Sequence, residues 1–259
     1  MKYSNLKNPD LFNIDLLILG VDQLRFLGEV KKAQIFEPNS SVFDKDGLFS
    51  ANIFGAIGSE YRSTNFGYID VTLDMLHPII FENLLSLKSL YPEIVTGKIY
   101  VKYDSKTKEF VESTEEDGGS TGYDFFIKNY DKLNFEDNDS DQRKHKIDLI
   151  LKYASPEYCI NKWLVLPAGL RDYTLDKNGK PTEDEVNDLY RELITISNML
   201  KNTRVSEENK YLLDPIRYKL QLSSVKIYHY IFSLLEGKNK FMLGKVGKRA
   251  ISYGTRNVI

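Results

Sequence analysis

Five apolar residues, Val186, Leu189, Leu193, Ile196 and Leu200, recur at alternating spacings of three and four, and they constrain the fold more than any other feature of the chain. A helix turning every 3.6 residues lays such residues along one stripe, and an apolar stripe in water must be covered by another element. Just upstream, Thr182 with Glu185 three residues on predicts a capping box at the start of this helix. A second helix is predicted from near Ser206, carrying Leu213, Ile216, Leu220, Ile227, Ile231 and Leu234 and stopping at Gly237, a natural C-cap. Pro215 should either kink that helix or mark its true start. With only about five residues between them, the two must fold back as an antiparallel hairpin. Its polar tip would hold Asn202, Thr203 and Arg204. Pattern alone leaves open whether this is a packed structural pair or a protruding docking arm.

The rest of the 259-residue chain can bury one sizeable core or two modest ones. Over residues 1–110, short apolar segments alternate with turn residues ("FDKDGLFSANIFGAIGS", "STNFGYIDV"), which predicts compact α+β structure with short strands. "ENLLSLKSLYPE" predicts a helix ended by Pro92. Residues 112–141 hold ten acids against Lys128 and Lys132, with Gly-Gly, Ser and Asn among them. That composition predicts a solvated, partly mobile insertion, with mimicry of nucleic acid or masking of a basic groove as the sharper reading. The domain organisation read from these shifts is an N-terminal domain over 1–165 containing the insertion, a loop over 166–183, the helical hairpin over 184–236 and a terminal segment over 237–259.

Several chemistries find no support. No run approaches the roughly 18 apolar residues of a membrane helix, and the N-terminus lacks the form of a signal peptide, so an intracellular protein without membrane contact is expected. Cys159 is the single cysteine, and His77, His145 and His229 lie far apart, so no metal-ligand spacing exists. Cys159 sits in the apolar run "PEYCINKWLVL" and reads as an inert core thiol; His77 reads as a core or boundary histidine. "GKVGKR" is not a phosphate loop, because Gly244 and Gly247 are too close and Arg249 stands where a hydroxyl should be. Neither a nucleophile elbow nor a zinc-protease helix occurs, so no catalytic residue is assigned.

The closing stretch "GKNKFMLGKVGKRAISYGTRNVI" carries Lys238, Lys240, Lys245, Lys248, Arg249 and Arg256 and no acid. Subtracting these six from the net charge of −2 leaves −8 for residues 1–236. A cationic strip with interleaved Gly and Ser suits a phosphate backbone, but charge alone fits a solvated tail equally well.

The residues of this stretch, "GKxxxF…GKRxxxYxxRxVI", resemble the switch 2 segment of the β′ (largest) subunit of multisubunit DNA-directed RNA polymerases. "VNDLYRELITISNMLK" is similar to the start of that family's clamp helices, and "LVLPAGLRDYTLD" to the strand and lid before them. "GEVKKAQIF", "DGLFSANIFG" and "FGYIDVTLDMLHPIIF" resemble its opening clamp motifs, in the same order. Two departures stand out. Only "AIGSEYRSTN" occupies the place of the family's four-cysteine zinc ribbon, and the motif that holds the catalytic magnesium is not in this sequence.

The resemblance implies an irregular α+β clamp-type domain without a zinc ribbon and with a protruding hairpin. It implies an N-terminal β′ fragment of the split-subunit type found in giant bacteriophages, which holds template DNA and the RNA–DNA hybrid. Lys238, Lys248, Arg249 and Arg256 would meet template phosphates, with Lys240 and Lys245 added on charge. Arg171, Lys177 and Lys180 would be lid contacts, and Asn198, Lys201, Asn202 and Arg204 would dock a sigma-like specificity factor. The chain itself would bind no cofactor; Mg2+ would sit on another chain, beside the remaining β′ polypeptide and β-like subunits. Its place would be the cytoplasm of an infected bacterial host, with packaging in the virion as the alternative. The competing expectation is a stand-alone nucleic-acid-binding or regulatory protein that mimics the clamp.

Overall fold

The computed structural model describes residues 21–153, 159–203, 212–237 and 240–247. In chain order its elements are α1 (Val21–Leu24), β1 (Gly28–Glu29), α2 (Ala51–Phe54), β2 (Gly67–Met75), α3 (Pro78–Leu85), α4 (Leu90–Val95), β3 (Tyr100–Asp104) and β4 (Glu109–Ser113). There follow α5 (Tyr123–Ile127), α6 (Asp141–Lys152), β5 (Ile160–Val165), β6 (Thr174–Leu175), β7 (Pro181–Thr182), α7 (Val186–Asn202), α8 (Asp214–Leu235) and a π-helical turn (Phe241–Val246). The architecture is the mixed α+β one expected. Its central sheet has the order β1-β2-β5, with β1 parallel and β5 antiparallel to β2. Among the described residues no helix is long and apolar enough to cross a membrane.

Two apolar clusters form the interior. One joins α3, α4, α5, α6 and the β3–β4 hairpin around Phe81, Tyr91, Ile94, Phe126 and Ile150. The other joins the central sheet to α7 around Phe49, Phe54, Val71, Trp163, Tyr190 and Leu193. Helix α8 serves both: Val225 enters the first cluster, and Leu220 and Ile227 enter the second. Where the clusters meet, fully buried Gln221 clasps Leu76 at the end of β2. Its Nε2 donates to the Leu76 carbonyl (2.9 Å), and its Oε1 accepts from the Leu76 N–H (3.0 Å) and the Tyr123 hydroxyl (2.8 Å). Gln221→Leu keeps the volume but leaves those backbone groups without partners in a dry place. It should cost about 2–4 kcal/mol, read from the shift of a denaturant midpoint.

Three expectations need correction. The acidic stretch is not a loop insertion. It supplies the last two residues of β4 and all of helix α5, and Tyr123, Phe126, Tyr130, Leu133 and Phe135 are buried in the first cluster while most of its acids face water. The helix expected to end at Pro92 is two helices, and Pro92 lies in the first turn of α4, where a missing N–H leaves no bond unmade. The capping box does not form, because Thr182 is engaged in β7, its hydroxyl 2.8 Å from that of Thr174. Asp184 takes over by accepting the Val186 N–H at 2.9 Å. Of the two roles open to Pro215 the structure shows the second: it lies in the first turn of α8 and marks a start, not a kink, while the expected start near Ser206 lies outside the described residues.

Helices α7 and α8 do run antiparallel: the Tyr230 hydroxyl donates to Asp184 (2.7 Å) while, one turn back, Lys226 reaches forward to Glu192 (3.1 Å). The described part of α7 is no free arm, however. Leu193, Ile194, Ile196 and Ser197 are buried, and the Ser197 hydroxyl donates to the Asp70 carbonyl of β2 at 3.1 Å.

Candidate nucleic-acid interface

The mount of the site is a pair of buried arginines that the sequence does not announce. Arg62, in the short 3-10 turn between α2 and β2, is 2% exposed. Its Nε and Nη2 bind the two oxygens of Asp172 at 2.9 and 2.7 Å, and its Nη1 donates to the carbonyls of Gly55 (3.1 Å) and Phe49 (3.3 Å). Arg171 is equally buried. It donates to the carbonyls of Leu166 (2.9 Å) and Leu48 (2.8 Å) and to Asn187 Oδ1 (2.7 Å), with its guanidinium over the rings of Phe54, Phe49 and Tyr190. Burial pushes the Arg171 guanidinium down to about 10. One knot thereby fastens the "DGLFSANIFG" segment, the residues after β5 and the first turn of α7.

From this mount the β6–β7 hairpin stands into solvent, with every residue from Thr174 to Thr182 exposed. Its tip is set by Asp176, whose carboxylate accepts the N–H groups of Asn178 and Lys180 (2.8 Å each), and by Gly179 at φ 75°, a left-handed value that suits glycine. Lys177 and Lys180 are exposed at that tip. Arg171, expected to join them as a lid contact, does not: its guanidinium faces the core and is fully engaged there. A cation in a polar, turn-rich segment reads as surface, and the carbonyl of Leu48, 123 positions away, is a partner no local pattern reveals.

The other expected site residues fall in three places. Asn198 and Lys201 lie near the end of α7, but their side chains bind the chain's own carbonyls, Asn198 to Lys31 (3.1 Å) and Lys201 to Asp70 (2.6 Å). Asn202 is exposed at the last position of α7, and Arg204 lies outside the described residues. Lys240 and Lys245 are exposed on and beside the π-helical turn. Lys238, Lys248, Arg249 and Arg256 lie outside the described residues, so the structure brings together only the hairpin pair and, separately, the terminal pair.

Among the described residues no group of three or more His, Cys, Asp or Glu side chains could hold a metal ion. Cys159 is half-buried, and burial pushes its thiol up to about 11. It should react with iodoacetamide at pH 8 about 100-fold more slowly than a free thiol, because the thiolate is the attacking species. His77 is buried as the N-cap of α3, its Nδ1 accepting the Ile79 N–H at 3.2 Å.

By charge and shape the chain is thus an acidic α+β body with lysines on two projecting elements. Comparison with known proteins gives that class a direction. The β′ subunit of DNA-directed RNA polymerase from Buchnera aphidicola subsp. Acyrthosiphon pisum (strain APS) is 24% identical over 271 residues, covering 76% of this chain. The β′ subunit from Blochmanniella floridana is 24% identical over 272 residues, covering 77% of it. The chain spans about a fifth of the length of these relatives (19% of each). No family model matches the chain.

Proposed function

We propose that this chain works within a multisubunit DNA-dependent RNA polymerase, as a counterpart of part of β′ that holds template DNA and the RNA–DNA hybrid. The observation that carries this reading is the similarity to β′ subunits over three quarters of the chain. The structure supports it by packing the segments that carry the resemblance against one another: the bonds of Arg171 to the Leu48 carbonyl and to Asn187 tie three of them into one unit. In this reading Lys177 and Lys180 meet nucleic acid from the hairpin, and Lys238, Lys248, Arg249 and Arg256 meet phosphates from the terminal stretch. The exposed end of α7, with Asn202, would face a specificity factor. Phosphoryl transfer would use metal ions held by another polypeptide. The finer identity, a split-subunit phage enzyme, rests on the short spacer at residues 56–65 where the resemblance leads one to expect a four-cysteine ribbon.

The test is purification of the tagged chain from its native source at moderate salt, with identification of every stoichiometric companion. Chains similar to β and to the rest of β′ are expected. A free monomer with affinity for nucleic acid would instead establish the stand-alone clamp mimic.

A further inference from the structure

We propose that the π-helical turn Phe241–Val246 is a protein-docking surface, built to enter an apolar groove bordered by carboxylates on another polypeptide. This deepens the proposed function by naming where the chain meets a protein subunit, although its grounds are exposure and charge and not the similarity. Phe241 and Met242 are each 55% exposed, and Leu243 and Val246 each 57%. The turn stays in contact with the end of α8, where Leu234 and Leu235 are 39% and 41% exposed. Together the four apolar residues of the turn leave on the order of 400 Å² of apolar surface in water, the scale at which a patch marks an interaction site.

The winding of the turn explains why the other described residues leave this surface open. The Met242 carbonyl accepts from the Gly247 N–H at 2.9 Å, five residues on. At just over four residues per turn, Phe241, Val246, Met242 and Leu243 spread over an arc of about 160°. No single flat neighbour covers such an arc; a groove does. Lys245 falls on the border of the arc beside Phe241, and Lys240 precedes the turn. Neither forms an ion pair among the described residues. Phosphates would satisfy the lysines but gain nothing from four apolar side chains, whereas an apolar groove rimmed by Asp or Glu satisfies both.

The experiment places a benzophenone amino acid at Phe241 in the tagged chain, purifies the assembly from its native source, irradiates it and maps the cross-linked peptide. The expected product joins Phe241 to one segment of another polypeptide whose apolar residues lie beside at least two carboxylates. Leu243→Glu should reduce that product at least tenfold; Lys245→Glu should reduce it several-fold, and Lys245→Arg should restore it. These positions are exposed, so an unchanged melting curve of each variant checks that the fold is intact. Cross-linking to nucleic acid, to a second copy of this chain, or to nothing above the unirradiated control would overturn the proposal. If the cross-linked polypeptide is unrelated to polymerases, the docking surface stands and the polymerase reading falls. If polymerase chains co-purify while Phe241 joins none of them, the reverse holds.

Discussion

Exchanging Asp172 for alanine is expected to destabilise the fold by about 3 kcal/mol, lowering the melting temperature by roughly 10 °C. The cause is the partner left behind. Arg62 has 3% of its side chain exposed, against 27% for Asp172, so removing the carboxylate strands a buried guanidinium. Two carbonyls, Phe49 and Gly55, still accept from it, but they carry no countercharge. The double variant Arg62→Met with Asp172→Leu should recover most of the loss, because it removes both ions and the cost of keeping them dry. A loss below about 1 kcal/mol in the single variant would mean that water reaches Arg62 through the gap.

Acid should expose the same pair. Burial alone would raise the Asp172 carboxyl, but the hydrogen bonds and charge of Arg62 outweigh it and hold the group below its ordinary value. A carboxyl depressed by folding stabilises the protein above its unfolded value, about 3.9, and that contribution disappears as pH falls through the lower folded value. The variant lacking Asp172 should therefore lose less stability than the parent as the pH is lowered past 4.

The second large effect concerns the terminal cations. Converting Lys248, Arg249 and Arg256 together to alanine should lower template affinity of the assembled enzyme on the order of 100-fold at moderate salt, with transcription falling alongside. The dependence of log affinity on log salt should flatten by about 3, one unit for each phosphate contact removed. Assembly with the companion chains should persist, since the apolar turn is untouched. Unchanged template binding and elongation would sink the assignment of these three residues.

Which features could be read in advance follows from how local their causes are. Helix α7 is legible because its apolar spacing is a local property, and so is the hairpin tip, where Asn178 and Gly179 state their turn directly. The acidic stretch misleads because its charges dominate any composition window. The signal that predicts its order is the recurrence of large apolar residues at Tyr123, Phe126, Tyr130, Leu133 and Phe135, all of them buried. The arginine knot is illegible for a different reason. Arg62 and Asp172 are 110 positions apart, and Arg171 reaches Leu48 across 123, so no local pattern can mark them as interior. Asn187, read only as part of an amphipathic helix, is the buried partner that makes the position of Arg171 possible.

Because α8 alone completes both apolar clusters, neither half of the body can mature on the ribosome before residues near 235 have left the exit tunnel. Synthesis therefore delivers a long, aromatic-rich nascent chain whose lobes wait for the same late segment. A cell making this protein in quantity would need holdase chaperones during that interval.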